Sequence, residues 1–166
     1  INTHGKTTDI AQTAFQNLGK LRSGKESIPE LSSFLENIPS GKIINAELKA
    51  ETITKADFFG IDKQLRARRD EIIVSSFEHS LLSDYKRNGY RTGCLLERKH
   101  FQKGFLRLFI SLLCQRPYSI NVPLEFFYVV KGFNLKLAIF LFRSVSKKII
   151  VWTVNNPGDF KLVSNY

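Results

Sequence analysis

Short apolar runs rich in β-branched residues alternate with longer amphipathic stretches along most of this chain. The stretches between the runs have the 3.6-residue apolar period of helices. Strands that alternate with helices in this way are typical of βα units, whose strands lie parallel in one sheet. The sequence therefore predicts an α/β protein with a parallel sheet, whose strands are Lys42–Leu48, Glu71–Phe77, Thr92–Glu97, Ser119–Val122 and Lys148–Val154.

The predicted helices carry recognisable start and stop signals. Ser27 and Pro29 suit the start of one helix, and Asn156 followed by Pro157 suits the start of the last one. Neither of the two most apolar stretches has the roughly 20 apolar residues that a membrane span needs, so we predict buried or amphipathic helices, with a membrane-surface face as the alternative. The predicted helices are 27–36, 58–69, 78–86, 103–116, 134–146 and one that begins at 157, with a short helix or loop at 9–21.

Length and charge narrow the class of protein. A chain of 166 residues predicts one domain, residues 1–166. Its 25 basic and 15 acidic residues give a net charge of +10, which attracts anions such as phosphates or an acidic membrane surface. No recognisable nucleic-acid-binding module is present, so we predict no nucleic-acid partner. No apolar leader is visible near the start, and the compartment stays open, with the cytoplasm slightly favoured.

The first predicted strand of the sheet ends in charged residues. Side chains alternate along a strand, so Asn45, Glu47 and Lys49 share one face, opposite an apolar face. In a βα barrel the inward face ends at the catalytic rim, where polar residues indicate a site. A carboxylate beside an ammonium stays ionised and can bind Mg²⁺ or Ca²⁺, while the lysine can bind phosphate. The alternative is a solvated salt bridge at a strand end.

Four short motifs, in order, carry a resemblance to a known family. They are Ile28-Pro-Glu-Leu31, Ile44-Asn-Ala-Glu-Leu-Lys49, Ile73-Val-Ser-Ser-Phe77 and Val151-Trp-Thr-Val-Asn155. The set resembles the I-P-x-L, E-x-K, S-F and W-T-V-N motifs of the glycerophosphodiester phosphodiesterases, over about residues 28–163. The resemblance implies a TIM barrel and a hydrolase of lipid and glycerol metabolism that converts glycerophosphodiesters to glycerol 3-phosphate and an alcohol.

The resemblance also implies roles for individual residues. Glu47 matches a ligand of a divalent cation, Mg²⁺ or Ca²⁺, and Lys49 matches a catalytic lysine that contacts the phosphate. Phe77 and Trp152 match aromatic side chains of the substrate pocket. His4 matches one of two histidines that act as acid and base. The implied partner is a small phosphodiester or a lysophospholipid, with peripheral membrane contact through the apolar helices between residues 103 and 146.

Parts of the family pattern are absent from this chain. The His-Arg and Glu-x-Asp motifs of the first strands and the final Gly-Val-Asp strand are not found. A barrel cannot close without its strands, so we expect an incomplete TIM-type barrel. The alternative function is a catalytically incomplete barrel that acts as a basic membrane- or anion-binding protein. His79 and His100 lack partners at metal-ligand spacing, and His79 is predicted to lie at the surface.

Overall fold

A computed structural model describes residues 2–3, 6–7, 13, 15–18, 22–23, 26–102, 104–130 and 132–166. The chain divides into two compact units, residues 1–42 and 43–166. Two such units can belong to one domain, so the single-domain assignment stays a prediction.

The described residues of the first unit form two small hairpins and two helices. Strand β1 (Asn2–Thr3) pairs antiparallel with β2 (Lys6–Thr7), and β3 (Arg22–Ser23) pairs antiparallel with β4 (Glu26–Ser27). Helix α1 spans Phe15–Leu18, and α2 spans Leu31–Asn37.

Helix α2 begins later than the sequence predicts. Ser27, the predicted cap, lies in β4 instead, and the N-cap position is occupied by Glu30 with extended backbone. Pro29 disfavours a helical conformation at Ile28, the residue before it. Ser27 is therefore not the cap of this helix, because Ile28 would then have to be its first helical residue.

The second unit is built on a five-stranded parallel sheet, as predicted. Its strands are β5 (Ile44–Leu48), β6 (Ile72–Ser76), β7 (Arg91–Leu95), β8 (Ser119–Pro123) and β9 (Lys148–Trp152), and they neighbour one another in chain order. This order is that of successive βα units. Among the described strands the sheet stays open, with β5 and β9 at its two edges.

Helices connect consecutive strands of this sheet, and one more helix follows β9. They are α3 (Phe58–Leu65), α4 (Leu82–Arg87), α5 (Arg98–Gln102), α6 (Phe105–Gln115), α7 (Glu125–Val129), α8 (Gly132–Val145) and α9 (Pro157–Ser164), with 3-10 turns at Lys55–Asp57, Arg66–Glu71 and His79–Leu81. Asn156 caps α9 as predicted, because its side chain accepts a hydrogen bond from the Asp159 N–H at 2.9 Å. The sequence did not predict α5 and α7, since five residues are too few for a helical period.

The outer face of the sheet forms the main hydrophobic core. Val74, Cys94 and Ile120 point to this face and are fully buried. Leu112 of α6 and Phe142 of α8 are also fully buried, and Cys94 Sγ contacts Gln115 at the end of α6 at 3.2 Å. Along the described part of the chain, no helix has the length and apolar character needed to cross a bilayer.

Candidate active site

The inner face of the sheet carries a different set of side chains. The strand register aligns Glu47, Ser75, Gly93 and Ser119 in one row across β5 to β8. In a parallel sheet, residues paired in this way point to the same face. The next row towards the carboxyl ends of the strands includes Asn121. Polar side chains are therefore concentrated in these rows of the inner face, whereas the outer face is mainly apolar.

Glu47 and Lys49 meet at the carboxyl end of β5. Lys49 Nζ lies 2.6 Å from Glu47 Oε1, and the two side chains are 62% and 31% exposed, respectively. An exposed ion pair of this kind contributes about 0–1 kcal/mol to stability. The structure thus brings the two predicted residues together, with the lysine reaching into solvent where it can meet an anion.

Phe77 and Trp152 meet above the same inner face. Phe77 follows β6 and Trp152 ends β9, yet their ring centroids lie 5.7 Å apart at an interplanar angle of 77°. The indole N–H donates to the Asn121 carbonyl at 3.2 Å, and the Trp152 carbonyl accepts from the Leu124 N–H at 2.7 Å. The tryptophan is therefore held at both ends, and Phe77 packs on its ring.

A buried polar cluster underlies these aromatic rings. Ser75 and Ser119 are fully buried and Asn121 is 2% exposed. Ser119 Oγ donates to Asn121 Oδ1 at 2.8 Å, whereas Ser75 Oγ has no hydrogen-bond partner within the described residues. Gly93 permits this close packing, because a Cβ at that position would lie 2.8 Å from Ser119 Oγ.

Two histidines form a stacked pair beyond the ends of β6 and β7. The rings of His79 and His100 are nearly parallel, with centroids 5.0 Å apart. His79 Nε2 lies 3.0 Å from the Leu95 carbonyl and so carries a proton that it donates. His100 Nδ1 accepts from the Glu97 N–H at 3.1 Å, which leaves its own proton on Nε2. The prediction that His79 lies at the surface is wrong, since it is half-buried.

Burial sets the charge state of this pair. It lowers the pKa of His79, and a hydrogen bond to the Leu95 carbonyl opposes the shift. Burial also lowers the pKa of His100, against the opposing charge of Glu97. Both imidazoles are therefore neutral at neutral pH. The hydrogen bonds to Ser80 lower the pKa of neighbouring Glu78.

The described residues do not form a complete metal site. No group of three His, Cys, Asp or Glu side chains comes together within them, and the nearest charged partner of Glu47 is the Lys49 ammonium. Glu47 thus offers one of the several oxygen ligands that a divalent cation takes. His4, the predicted acid or base, lies outside the described residues.

Comparison with solved structures decides the fold. The chain is similar to a glycerophosphodiester phosphodiesterase from Thermotoga maritima, with 26% identity and a TM-score of 0.74. The alignment covers 96% of this chain and 66% of that one.

The fold is that of the glycerophosphodiester phosphodiesterases.

Two further structures share this fold. A candidate glycerophosphodiester phosphodiesterase from Galdieria sulphuraria is 16% identical, with a TM-score of 0.71 over 96% of this chain and 65% of its own. A candidate from Silicibacter pomeroyi DSS-3 is 17% identical, with a TM-score of 0.51 over 74% of this chain and 44% of its own. The predicted resemblance and the incomplete TIM-type fold are thus confirmed.

The similarity to the glycerophosphodiester phosphodiesterases covers part of their length and is seen only in comparisons of structure. The chain spans about two thirds of the length of the first two structures. No protein-family model matches it, and neither does any curated protein sequence. The likeness is therefore one of three-dimensional structure.

Sequence reasoning missed the histidine pair and the polar cluster. His79 and His100 are 21 positions apart and meet only because β6 and β7 are neighbours, so no local pattern connects them. The cluster did leave a signal, because Ser119 and Asn121 alternate with Ile120 and Val122 in a strand. A polar residue at every second position of a strand predicts one polar face.

Proposed function

We propose that this chain belongs to a hydrolase of phosphoric diesters, and that the carboxyl edge of its sheet binds the diester. One observation carries the proposal. The Glu47–Lys49 pair and the Phe77–Trp152 pair end strands of one parallel sheet and lie on the same inner face. Ligands of open and closed α/β sheets bind at the carboxyl ends of the strands.

Each pair has a distinct role in this proposal. Lys49 Nζ binds a phosphate oxygen, and Glu47 orients the lysine through their 2.6 Å contact. Trp152 and Phe77 form an apolar wall against the glycerol or alcohol part of the substrate. The polar cluster of Ser75, Ser119 and Asn121 supports this wall, because Asn121 also holds the indole N–H through its carbonyl.

The proposed reaction is hydrolysis of a glycerophosphodiester. A water oxygen forms a bond to phosphorus, the bond from phosphorus to the alcohol oxygen breaks, and that oxygen gains a proton. The products are glycerol 3-phosphate and an alcohol. If the diester is a lysophospholipid, the phosphate product keeps the acyl chain as an acylglycerol 3-phosphate, and the alcohol is its head group. Lys49 stabilises the negative charge that grows on the phosphoryl oxygens in the transition state.

A cation and a histidine complete the proposal. Glu47 would supply one carboxylate ligand to Mg²⁺ or Ca²⁺, with water or residues outside the described part of the chain as the other ligands. Such an ion, when bound, acts as a Lewis acid on the phosphoryl oxygen. His4 is the proposed acid or base, since an imidazole near its usual pKa can give or take a proton at neutral pH.

Release of glycerol 3-phosphate from glycerophosphocholine tests the proposal. We expect turnover that a chelator abolishes, and a loss of about 100-fold or more in Lys49→Met and Glu47→Gln. The matched controls are Lys63→Met on α3 and Asp70→Asn in the turn before β6, because both side chains are exposed and lie away from the carboxyl ends of the strands. The two controls should keep full activity.

Two results would refute this mechanism. One is turnover that is unchanged by the chelator, and the other is activity in Glu47→Gln equal to that in Asp70→Asn. Saturable substrate binding with no turnover would instead favour the anion-binding alternative, which the comparisons with known structures do not favour.

A further inference from the structure

The positive charge of the chain is concentrated in one segment. Residues 98–158 contain ten Lys and Arg residues and a single acid, Glu125. The rest of the chain contains 15 basic and 14 acidic residues, so this basic segment carries nine of the ten net charges. The segment comprises helices α5 to α8 with strands β8 and β9.

The same segment exposes most of the large apolar side chains. Seven of the eleven large apolar residues that are exposed in the described part of the chain lie within it. The most exposed are Val129 at 79%, Leu106 at 71% and Phe140 at 68%. Single exposed apolar residues are normal on a protein surface, but a concentration of them indicates an interaction site.

These side chains form stripes on two neighbouring helices. Leu106, Ile110 and Leu113 are spaced four and three residues apart on α6, so they lie along one face of that helix. On α8, Phe140 lies between Lys136 and Arg143 at the same spacing. The two helices pack against each other. Each connects consecutive parallel strands, which places both on the outer face of the sheet.

Apolar grooves extend this surface towards the carboxyl ends of β7 and β8. Two adjoining cavities of about 570 and 360 Å³ share Phe101, Phe126 and Val130 as lining residues. The larger reaches Val129 after β8, and the smaller reaches Leu137 on α8. The exposed apolar surface is thus continuous from the loop helices α5 and α7 to the outer helix α8.

The described cations on this surface are largely available for a partner. Arg107, Lys136 and Arg143 are exposed. Among the described cations of the basic segment, Lys99 alone forms an ion pair, with Glu97. Arg143 donates a hydrogen bond to the Tyr166 backbone oxygen at 2.7 Å.

We propose that the basic segment docks this protein onto an anionic lipid bilayer. The apolar stripes enter the interface between headgroups and acyl chains, and the Lys and Arg side chains contact lipid phosphates. A nucleic acid would neutralise the Lys and Arg charges but would leave the Leu and Phe stripes exposed to water. An anionic lipid surface neutralises the charges and also buries the apolar side chains. This proposal does not depend on the phosphodiesterase reaction.

Cosedimentation of the full chain with lipid vesicles tests the proposal. The probes are vesicles of phosphatidylcholine alone and vesicles with about one third phosphatidylserine, in about 0.1 M salt. We expect the protein to bind the anionic vesicles at least tenfold more tightly, since each Lys or Arg near such a surface contributes about a fivefold gain. The measurement needs no catalysis, so its failure is distinct from a failure of the proposed enzyme.

Matched surface variants test whether vesicle binding depends on the basic segment or on other parts of the surface. Leu106→Ser with Phe140→Ser, and separately Arg107→Glu with Lys136→Glu, should each weaken binding by about tenfold or more. Phe59→Ser with Phe160→Ser is the apolar control, because both residues are exposed on α3 and α9. Lys63→Glu is the charge control, and both controls should bind as the parent does.

Three outcomes would overturn the proposal. The first is no binding to anionic vesicles. The second is equal weakening by the basic-segment variants and their controls. The third is binding that charge reversal weakens but Leu106→Ser with Phe140→Ser does not, which would make the surface a site for polyanions such as nucleic acid. Circular dichroism of each variant excludes unfolding as the cause.

Discussion

Phe77 contacts Trp152 edge to face, although two strands separate β6 from β9 in the sheet. Aromatic pairs of this geometry add about 0.5–1.5 kcal/mol beyond the area that they bury. The contact requires the sheet to curve towards its inner face, since a flat sheet would hold the two rings three strand spacings apart. The carboxyl edge of the sheet is therefore already concave in the described part of the chain.

Neighbouring serines on β6 should respond in opposite ways to removal of their hydroxyls. Ser76 Oγ donates to the Leu48 carbonyl at 3.0 Å and accepts from the Glu78 N–H at 3.1 Å, so Ser76→Ala leaves two groups without a partner. We expect it to lower the free energy of unfolding by about 1–3 kcal/mol. Ser75 Oγ has no partner within the described residues, so Ser75→Ala should be neutral or stabilising. Urea denaturation measures both, and a larger loss in Ser75→Ala would contradict the assigned hydrogen bonds.

Gly93→Ala should destabilise the sheet. The added Cβ would lie 2.8 Å from Ser119 Oγ and 3.3 Å from Asn121 Nδ2, so the buried cluster must shift. We expect a loss of about 1–3 kcal/mol, or roughly 2–4 °C in Tm for each kcal/mol at this chain length. Gly60→Ala on α3 is the matched control. A Cβ there meets nothing within 4 Å, and alanine favours the helix by up to about 1 kcal/mol. Equal Tm values for the two variants would refute the close packing.

The histidine pair should make stability depend on pH. Burial holds the pKa values of His79 and His100 below the usual value near 6.5, so the unfolded chain binds protons more readily than the folded one. The two neutral histidines therefore leave the free energy of unfolding at its full value above about pH 6.5. The free energy of unfolding decreases as the pH falls below that value. Glu78 and Glu97 oppose this loss, and Lys99 adds to it.

Thermal unfolding of the His79→Gln, His100→Gln double variant checks the pH dependence. The parent protein should lose Tm between about pH 7.5 and pH 5.5, and the double variant should lose less. An equal loss in both proteins would assign the pH dependence to other groups.

Much of the sheet could be predicted from sequence, because its strands are short apolar runs with sharp boundaries. The run Lys148–Val154 became β9 (Lys148–Trp152), and the cap at Asn156 began α9 as expected. The short helices α5 and α7 could not be predicted, since their positions depend on the strand ends that they follow. The cap signal at Ser27 predicts too early a start for α2, because Pro29 disfavours helical backbone at Ile28.

The candidate site was predictable only within single strands. Glu47 and Lys49 lie two positions apart in the chain, so alternation alone places them on one face. The contact of Phe77 with Trp152 spans 75 positions and depends on sheet curvature. The stacked histidines depend in the same way on strand order. The roles of Glu47, Lys49, Phe77, Trp152 and His4 stay predictions.

The sole tryptophan offers the most direct test of the central claim, which is that the carboxyl edge of this sheet binds a phosphodiester. Trp152 fluorescence would be titrated with glycerophosphocholine in the parent, Lys49→Met and Lys63→Met proteins. The account predicts a saturable change in the parent and in Lys63→Met, and an affinity at least about tenfold weaker in Lys49→Met. No saturable change in the parent, or equal affinities in the two lysine variants, would contradict it.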